Sequence, residues 1–265
     1  MNPNRNAFRA DLKVDNNRLW LLAHQDDEVL GLHLHSNLMR NFVVYLTNGV
    51  RTNANFNSLT RVEEARESWR KIDGTAELIF FGTDHALKDG ELQSQINIAH
   101  LDELICICRE RKINEIVTLQ LEGGHQDHDI TSMLAEELSV RLSLKLVAFP
   151  AYRALHKTFP IYTVMSPISK VIEKNSLSLI KRMQLARQSY RLMKNYKTQI
   201  ITWVGLGPFI ILKYLFGRPA KLFLIDTQRE NQELPKKFLY EIRKKNQKIN
   251  YVAFREEISN WKIPT

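Results

Sequence analysis

A mostly parallel, doubly wound α/β sheet is the fold that this 265-residue sequence predicts. Three observations predict it. Through the first 150 residues, short apolar runs alternate with segments of helical period. The first of them, Leu19 to Ala23, is apolar throughout, as a buried strand is. Each run stops at a loop rich in Gly, Asn, Asp or Thr, where a strand hands over to a helix.

Taken in order, Leu19-Trp20-Leu21-Leu22-Ala23 reads as the first strand and Val29 to Met39 as the helix after it. Phe42 to Leu46 is a second strand, ending in Thr47-Asn48-Gly49. A helix then runs from Thr60 to Ile72, with Thr60 as N-cap and Glu63 three residues on, the spacing of a capping box. Leu78 to Phe81 is a third strand, followed by a loop to Gly90. Gln95 to Lys112 repeats apolar residues at helical spacing. Ile116 to Leu119 is a fourth strand, Ile130 to Leu142 a helix, and Leu144 to Phe149 a fifth strand that stops at Pro150. Right-handed crossovers allow the first and fourth strands to be central neighbours.

The boundary at 150 is also a change of charge. Residues 1–150 carry 16 Lys and Arg against 22 Asp and Glu, whereas residues 151–265 carry 22 against 7. The expected organisation is a catalytic core over 1–150 and a basic α/β extension over 151–265 that completes the domain and the substrate pocket. In the extension, Ile161 to Met165 and Leu222 to Ile225 read as strands and Leu177 to Lys197 as a basic amphipathic helix. Ile200 to Phe216 is almost wholly apolar, but two glycines, a proline and a lysine interrupt it. It reads first as a buried hairpin or helix pair and, second, as a membrane-docking or lipid-facing element at the interface; it barely reaches the length of a spanning helix and, interrupted as it is, is not read as a span. The basic half suits phosphate groups or an anionic membrane. Nucleic acid is disfavoured, because the lysines are not interleaved with a stacking motif. Residues 1–17 are polar and the two cysteines, Cys106 and Cys108, have no zinc or redox spacing. A cytoplasmic setting is expected, with peripheral contact at the inner face of a membrane as a variant of it.

Two clusters carry chemistry. His24-Gln25-Asp26-Asp27-Glu28 follows the first strand, and Gly123-Gly124-His125-Gln126-Asp127-His128 follows the fourth. The carboxyl edge of such a sheet is where ligands bind. Either cluster alone is explained by helix-dipole complementarity or capping. Together, at two strand ends, they supply a zinc-type donor set of His24, Asp27 and His128 with one position left for water. Asp26 is then free to take a proton from that water, His125 to stabilise an oxyanion, and Asp127 to orient His125. The remaining histidines, His33, His35, His85, His100 and His156, read as structural.

The same residues carry a resemblance. Ala23 to Glu28 is similar to the A-H-P-D-D-E signature of the PIG-L (LmbE-like) family of metal-dependent de-N-acetylases, and Gly124 to His128 is similar to its G-H-P-D-H motif. Thr47-Asn48-Gly49 resembles its T-x-G, and Arg61-Val62-Glu63-Glu64 its R-x-x-E. The resemblance implies a Rossmann-like sheet, metal held by His24, Asp27 and His128, Asp26 as general base and then acid, and His125 as stabiliser of the tetrahedral intermediate. It implies removal of the N-acetyl group from an N-acetylglucosamine-type sugar or glycoconjugate. The basic half adds the expectation that this substrate is phosphate- or lipid-linked. Zinc is the expected metal, and iron(II) tolerates the same donors. Both motif prolines are replaced, by Gln25 and Gln126, and the residues after T-x-G are Val50-Arg51. Substrate contacts are accordingly expected at Gln25, Gln126, Arg51 and Arg61. Two other classes stay open at this stage: a different metal hydrolase such as a phosphoesterase, and a non-catalytic protein that binds membrane or nucleic acid through its basic half.

Overall fold

The structure is a computed structural model that describes residues 16–52, 54–154, 162–167, 173–174, 177–217, 220–224 and 251–261. Residues 1–15, His156, Ile161 and Ile225, named above, lie outside the described residues.

Strand β1 (Asn17–Leu22) lies at the centre of a sheet, with β2 (Arg40–Tyr45) on one side and β4 (Ile113–Leu119) on the other, both parallel to it. β3 (Glu77–Ile79) extends the sheet beyond β2, and β5 (Lys145–Phe149) extends it beyond β4, again in parallel. This order places the ends of β1 and β4 side by side, which is the juxtaposition the two clusters require. Past β5 the polarity reverses. A short hairpin, β6 (Tyr152–Ala154) with β7 (Tyr162–Val164), stands apart from the sheet, and β8 (Glu173–Lys174) pairs with the antiparallel strand β9 (Ala220–Leu224), which closes onto β5.

Alternation along β1 builds both cores. Trp20 and Leu22 pack with Val43, Tyr45, Val117 and Phe149 on one face of the sheet, while Leu19 and Leu21 pack with Phe42, Val44 and Ile116 on the other. Burial of each such side chain stabilises the fold by about 1.5–3 kcal/mol. Helix α1 is short (Glu28–Gly31), running into a single 3-10 turn over Leu32–Leu34. The expected helix to Met39 ends there, because the backbone at His35 is already extended. α2 (Ser58–Ile72) begins two residues before Thr60: Asn57 is the N-cap, and its side chain accepts from the Thr60 amide. The loop after β3 carries two one-turn helices, α3 (Phe81–Asp84) and α4 (Leu92–Gln95), ahead of α5 (Ile98–Glu110). α5 is capped by Asn97, with His100 closing the capping box. α6 (Gln126–Leu142) starts four residues earlier than expected, so Gln126, Asp127 and His128 form its first turn.

In the extension, α7 (Leu179–Met193) and α8 (Ile200–Phe216) form an antiparallel pair. α8 is one continuous helix through Pro208, and it is largely exposed, which corrects the expectation of a buried hairpin. The last described helix, α9 (Tyr251–Asn260), packs on α6 through Phe254 and Ile258.

Candidate metal centre

The first cluster is fixed by its own backbone. His24 follows β1, and its carbonyl accepts from the amides of Asp26 and Asp27 in a tight turn. Asp27 returns a carboxylate oxygen to the His24 amide at 2.8 Å. The neighbouring strand end is tied in as well: the amide and hydroxyl of Thr47 both donate to the Ala23 carbonyl, and the Gln25 side-chain amide donates to the Thr47 carbonyl. Gly49 sits at φ +66°, and a Cβ there would lie 2.1 Å from Gln25 Oε1 and 2.8 Å from Arg61 Nε. That turn therefore needs glycine for both its dihedral and its space.

The second cluster is set by the start of α6. His125 is the N-cap, and its Nδ1 accepts from the Asp127 amide at 3.2 Å. The remaining hydrogen of the neutral ring consequently sits on Nε2. Gly124 lies against the Tyr152 carbonyl so closely that any Cβ would overlap it.

The two clusters meet. His24 Nδ1 is 3.3 Å from His128 Nε2, and the Asp27 carboxylate is 3.1 Å from that nitrogen and 3.8 Å from His24 Nδ1. The His24–His128 and His128–Asp27 Oδ1 separations lie near a tetrahedral edge, about 3.4 Å for bonds of 2.0–2.1 Å, while the 3.8 Å distance is to the other oxygen, Oδ2, which also accepts from the His24 amide. His24 Nε2, on the other side of the ring, faces Asp127 at 3.2 Å and Asp89 at 3.4 Å. A carboxylate on the far nitrogen directs the near one at a metal. The donor set thus fits a divalent ion. Donor atoms of His24, His125 and His128, and likewise of His24, Asp89, His125 and Asp127, also lie within 4.8 Å of one another.

Electrostatics follow from this crowding. Burial favours neutral His24, but Asp89, Asp127 and Asp27 outweigh it and raise its pKa well above the ordinary range. Asp27 is pulled below the usual carboxylate range: burial opposes ionisation, and His128 and His24 overcome it. His125 is pushed down to about 3 by burial and by the His24 charge, so its ring is neutral. Asp26 moves upward because burial, reinforced by Asp27, outweighs the Arg61 guanidinium 3.0 Å away.

The sequence-derived residues do not all face the site. Arg61 is 1% exposed, holding Asp26, Glu64 and the Thr198 hydroxyl, so its guanidinium is spent within the protein. Gln25 is fully buried on Thr47, and Gln126 donates to the Gly90 carbonyl; both amides brace loops. Only Arg51 of the four stands at the mouth, 3.2 Å from both Asp89 and His125 Nε2. The Asp127 carboxylate accepts from the Gly90 and Leu92 amides and faces His24, while its nearest approach to His125 Nδ1 is 4.0 Å. It is the Asp127 amide, not the carboxylate, that sets the His125 ring. Asp89 escapes sequence reasoning altogether. Asp89-Gly90 reads as an ordinary turn, and nothing local shows that the loop after β3 folds back over β1.

An open α/β sheet with a histidine-carboxylate centre where its middle strands end defines the class of protein. The PIG-L family model, described as GlcNAc-PI de-N-acetylase, matches residues 19–139 of the chain. No curated protein sequence matches the chain. Among solved structures, a deacetylase-bog complex from the teicoplanin biosynthesis pathway aligns at 14% identity and TM-score 0.54, over 79% of this chain and 99% of that one. The zinc-inhibited form of teicoplanin deacetylase Orf2 aligns at 13% identity and TM-score 0.55, over 79% and 99%. N,N'-diacetylchitobiose deacetylase from Pyrococcus horikoshii aligns at 18% identity and TM-score 0.54, over 88% and 93%. At these identities the likeness is one of fold.

Proposed function

We propose that the protein is a metal-dependent de-N-acetylase that hydrolyses the acetamido group of an N-acetylglucosamine-type sugar or glycoconjugate. The observation that carries this reading is the convergence of His24 Nδ1, His128 Nε2 and the Asp27 carboxylate beside Asp26, inside the segment that the family model matches. The substrate class is supported by the family description and by the deacetylases of similar fold, which are named for teicoplanin and diacetylchitobiose.

His24, Asp27 and His128 would hold the ion, zinc or iron(II), and when bound it polarises the amide carbonyl and makes water acidic. Asp26 accepts the proton of the attacking water, and its raised pKa suits a base that must later return that proton. Arg61 keeps the Asp26 carboxylate in place from behind. His125, neutral and with hydrogen on Nε2, donates to the oxygen that gains charge in the tetrahedral intermediate. Asp26 then protonates the departing amine, and acetate leaves.

The test is metal content of the purified chain after reconstitution with zinc or iron(II), read beside acetate release from N-acetylglucosamine, diacetylchitobiose and a lipid-linked N-acetylglucosamine. One ion per chain is expected in the parent and in Asp26→Asn, with acetate release in Asp26→Asn down by about 10²–10⁴. Asp27→Ala and His128→Ala should lose the ion while remaining folded. A folded parent that binds neither metal would sink the reading.

A further inference from the structure

α8 is apolar on two sides. Trp203, Gly207, Ile210 and Tyr214 recur at heptad spacing and are buried against the body of the protein. The opposite side presents Ile200, Ile201, Val204, Phe209, Leu212 and Phe216, all at least half exposed, with Ile201 at 87%. An 18-residue stretch within Lys197–Phe216 has a mean hydropathy of 1.5, yet only 22% of it is buried. A helix apolar all round is ordinarily enclosed, and a contiguous exposed patch of this kind marks an interaction site. The patch continues onto α7. Arg182 Nε donates to the Tyr214 carbonyl, so the start of α7 lies beside the end of α8 and adds exposed Leu179, Ile180 and Met183.

Charge selects the occupant. Residues 177–217 contain seven Lys and Arg and no Asp or Glu. Lys181, Arg187, Arg191, Lys194 and Lys197 are exposed around the apolar residues. A second copy of this face would bring like charges together, whereas anionic headgroups neutralise them while the acyl region receives the apolar side chains. Between the helices lies a groove of about 520 Å³, lined by Tyr190, Met193, Trp203, Val204 and Pro208 with Lys194 and Lys197 on its rim. That volume falls within the roughly 300–1,000 Å³ of small-ligand sites. α8 is not free to cross a bilayer, because its inner side is committed: the Tyr214 hydroxyl donates to the Val29 and Leu30 carbonyls.

We propose that the outer face of the α7–α8 pair docks on the surface of an anionic lipid bilayer, with α8 lying in the plane of the interface. The surface is separate from the metal centre, and its occupancy is read without any activity measurement.

The experiment is co-sedimentation of the full chain with phosphatidylcholine vesicles, with and without phosphatidylglycerol, over a salt series. The parent is expected to pellet with the anionic vesicles and to be released by salt. Each lysine neutralised in Lys194→Gln and Lys197→Gln should weaken partitioning roughly fivefold. Val204→Glu with Phe209→Glu should abolish it; both side chains are exposed, and near-ultraviolet circular dichroism checks that the fold is kept. A parent that stays in the supernatant with the anionic vesicles overturns the proposal, whether sedimentation equilibrium then shows a monomer or a dimer that covers the face. Equal binding by the glutamate pair overturns it too.

Discussion

Arg61 shows how a buried charge is kept for the sake of another. Its guanidinium reaches Asp26 at 3.0 Å and Glu64 at 3.5 Å, and it lies over the Tyr196 ring at 5.5 Å. Arg61→Lys retains the charge but not the planar fork. It should lower kcat by about tenfold to a hundredfold through misplacement of Asp26, while metal content and KM hold. An equal loss in metal content would assign Arg61 to folding of the centre instead. Removing the charge, as in Arg61→Gln, leaves buried carboxylates unpaired and should destabilise by about 3–5 kcal/mol, read as a lower Tm. At this scale the convergence of the two clusters was legible in the sequence: His24, Asp27 and His128 stand together, as their positions at two strand ends suggested. Asp89 was not, since its place depends on a loop fold of its own. The inward turn of Gln25, Gln126 and Arg61 was not legible either, because a motif records residue types and not the side on which a polar group is satisfied.

Among the elements, the central strands were the most readable, because β1, β2, β4 and β5 are short apolar runs bounded by turn residues. The capping pattern at Thr60 misled by three residues: Asn57 Oδ1 accepts from both the amide and the hydroxyl of Thr60, so the helix has already begun when the chain reaches Thr60. α8 was misread for a physical reason. Gly205, Gly207 and Pro208 argue against a helix, yet Gly207 allows the close approach of Met193, and the helix continues through Pro208, which is exposed at the groove between α7 and α8. Gly207→Leu should push α7 and α8 apart, lowering Tm by several degrees, whereas Gly205→Ala, with open space around it, should raise stability by about 0.5–1 kcal/mol. A common response of the two would show that the interhelical contact is not what the glycine serves.

For the molecule as a whole, the sheet order followed from the alternation of strands and helices, and the antiparallel β9 and β8 did not, because no crossover helix announces them. Stability should carry a pH signature from Glu122. This carboxyl is buried at the end of β4, accepts from the Ala151 amide, and has its pKa pushed up to about 8 by burial. Its unfolded value is near 4.5. The folded chain therefore holds a proton that the unfolded chain gives up, so the stabilising contribution is complete below about pH 4.5 and is lost as pH rises through about 8. The loss is on the order of 3–5 kcal/mol at about 1.4 kcal/mol for each tenfold change in proton affinity. Glu28, buried and pushed up to about 7, acts in the same direction, so Glu122→Gln, which keeps the acceptor for Ala151, should lessen but not abolish the fall of the urea midpoint between pH 5 and 9; an undiminished fall would remove Glu122 as a cause.

Tyr196 and Tyr214, from the extension, both grip the turn that bears the first cluster: one hydroxyl reaches Glu28, the other the carbonyls of Val29 and Leu30. The first half of the chain is therefore not a portable module. A shortened gene ending near Pro150 would encode every proposed metal donor and still leave their scaffold without its back wall. Anyone grafting the centre onto another sheet would have to bring along the two tyrosines, nearly fifty residues downstream at the least, or build substitutes for them.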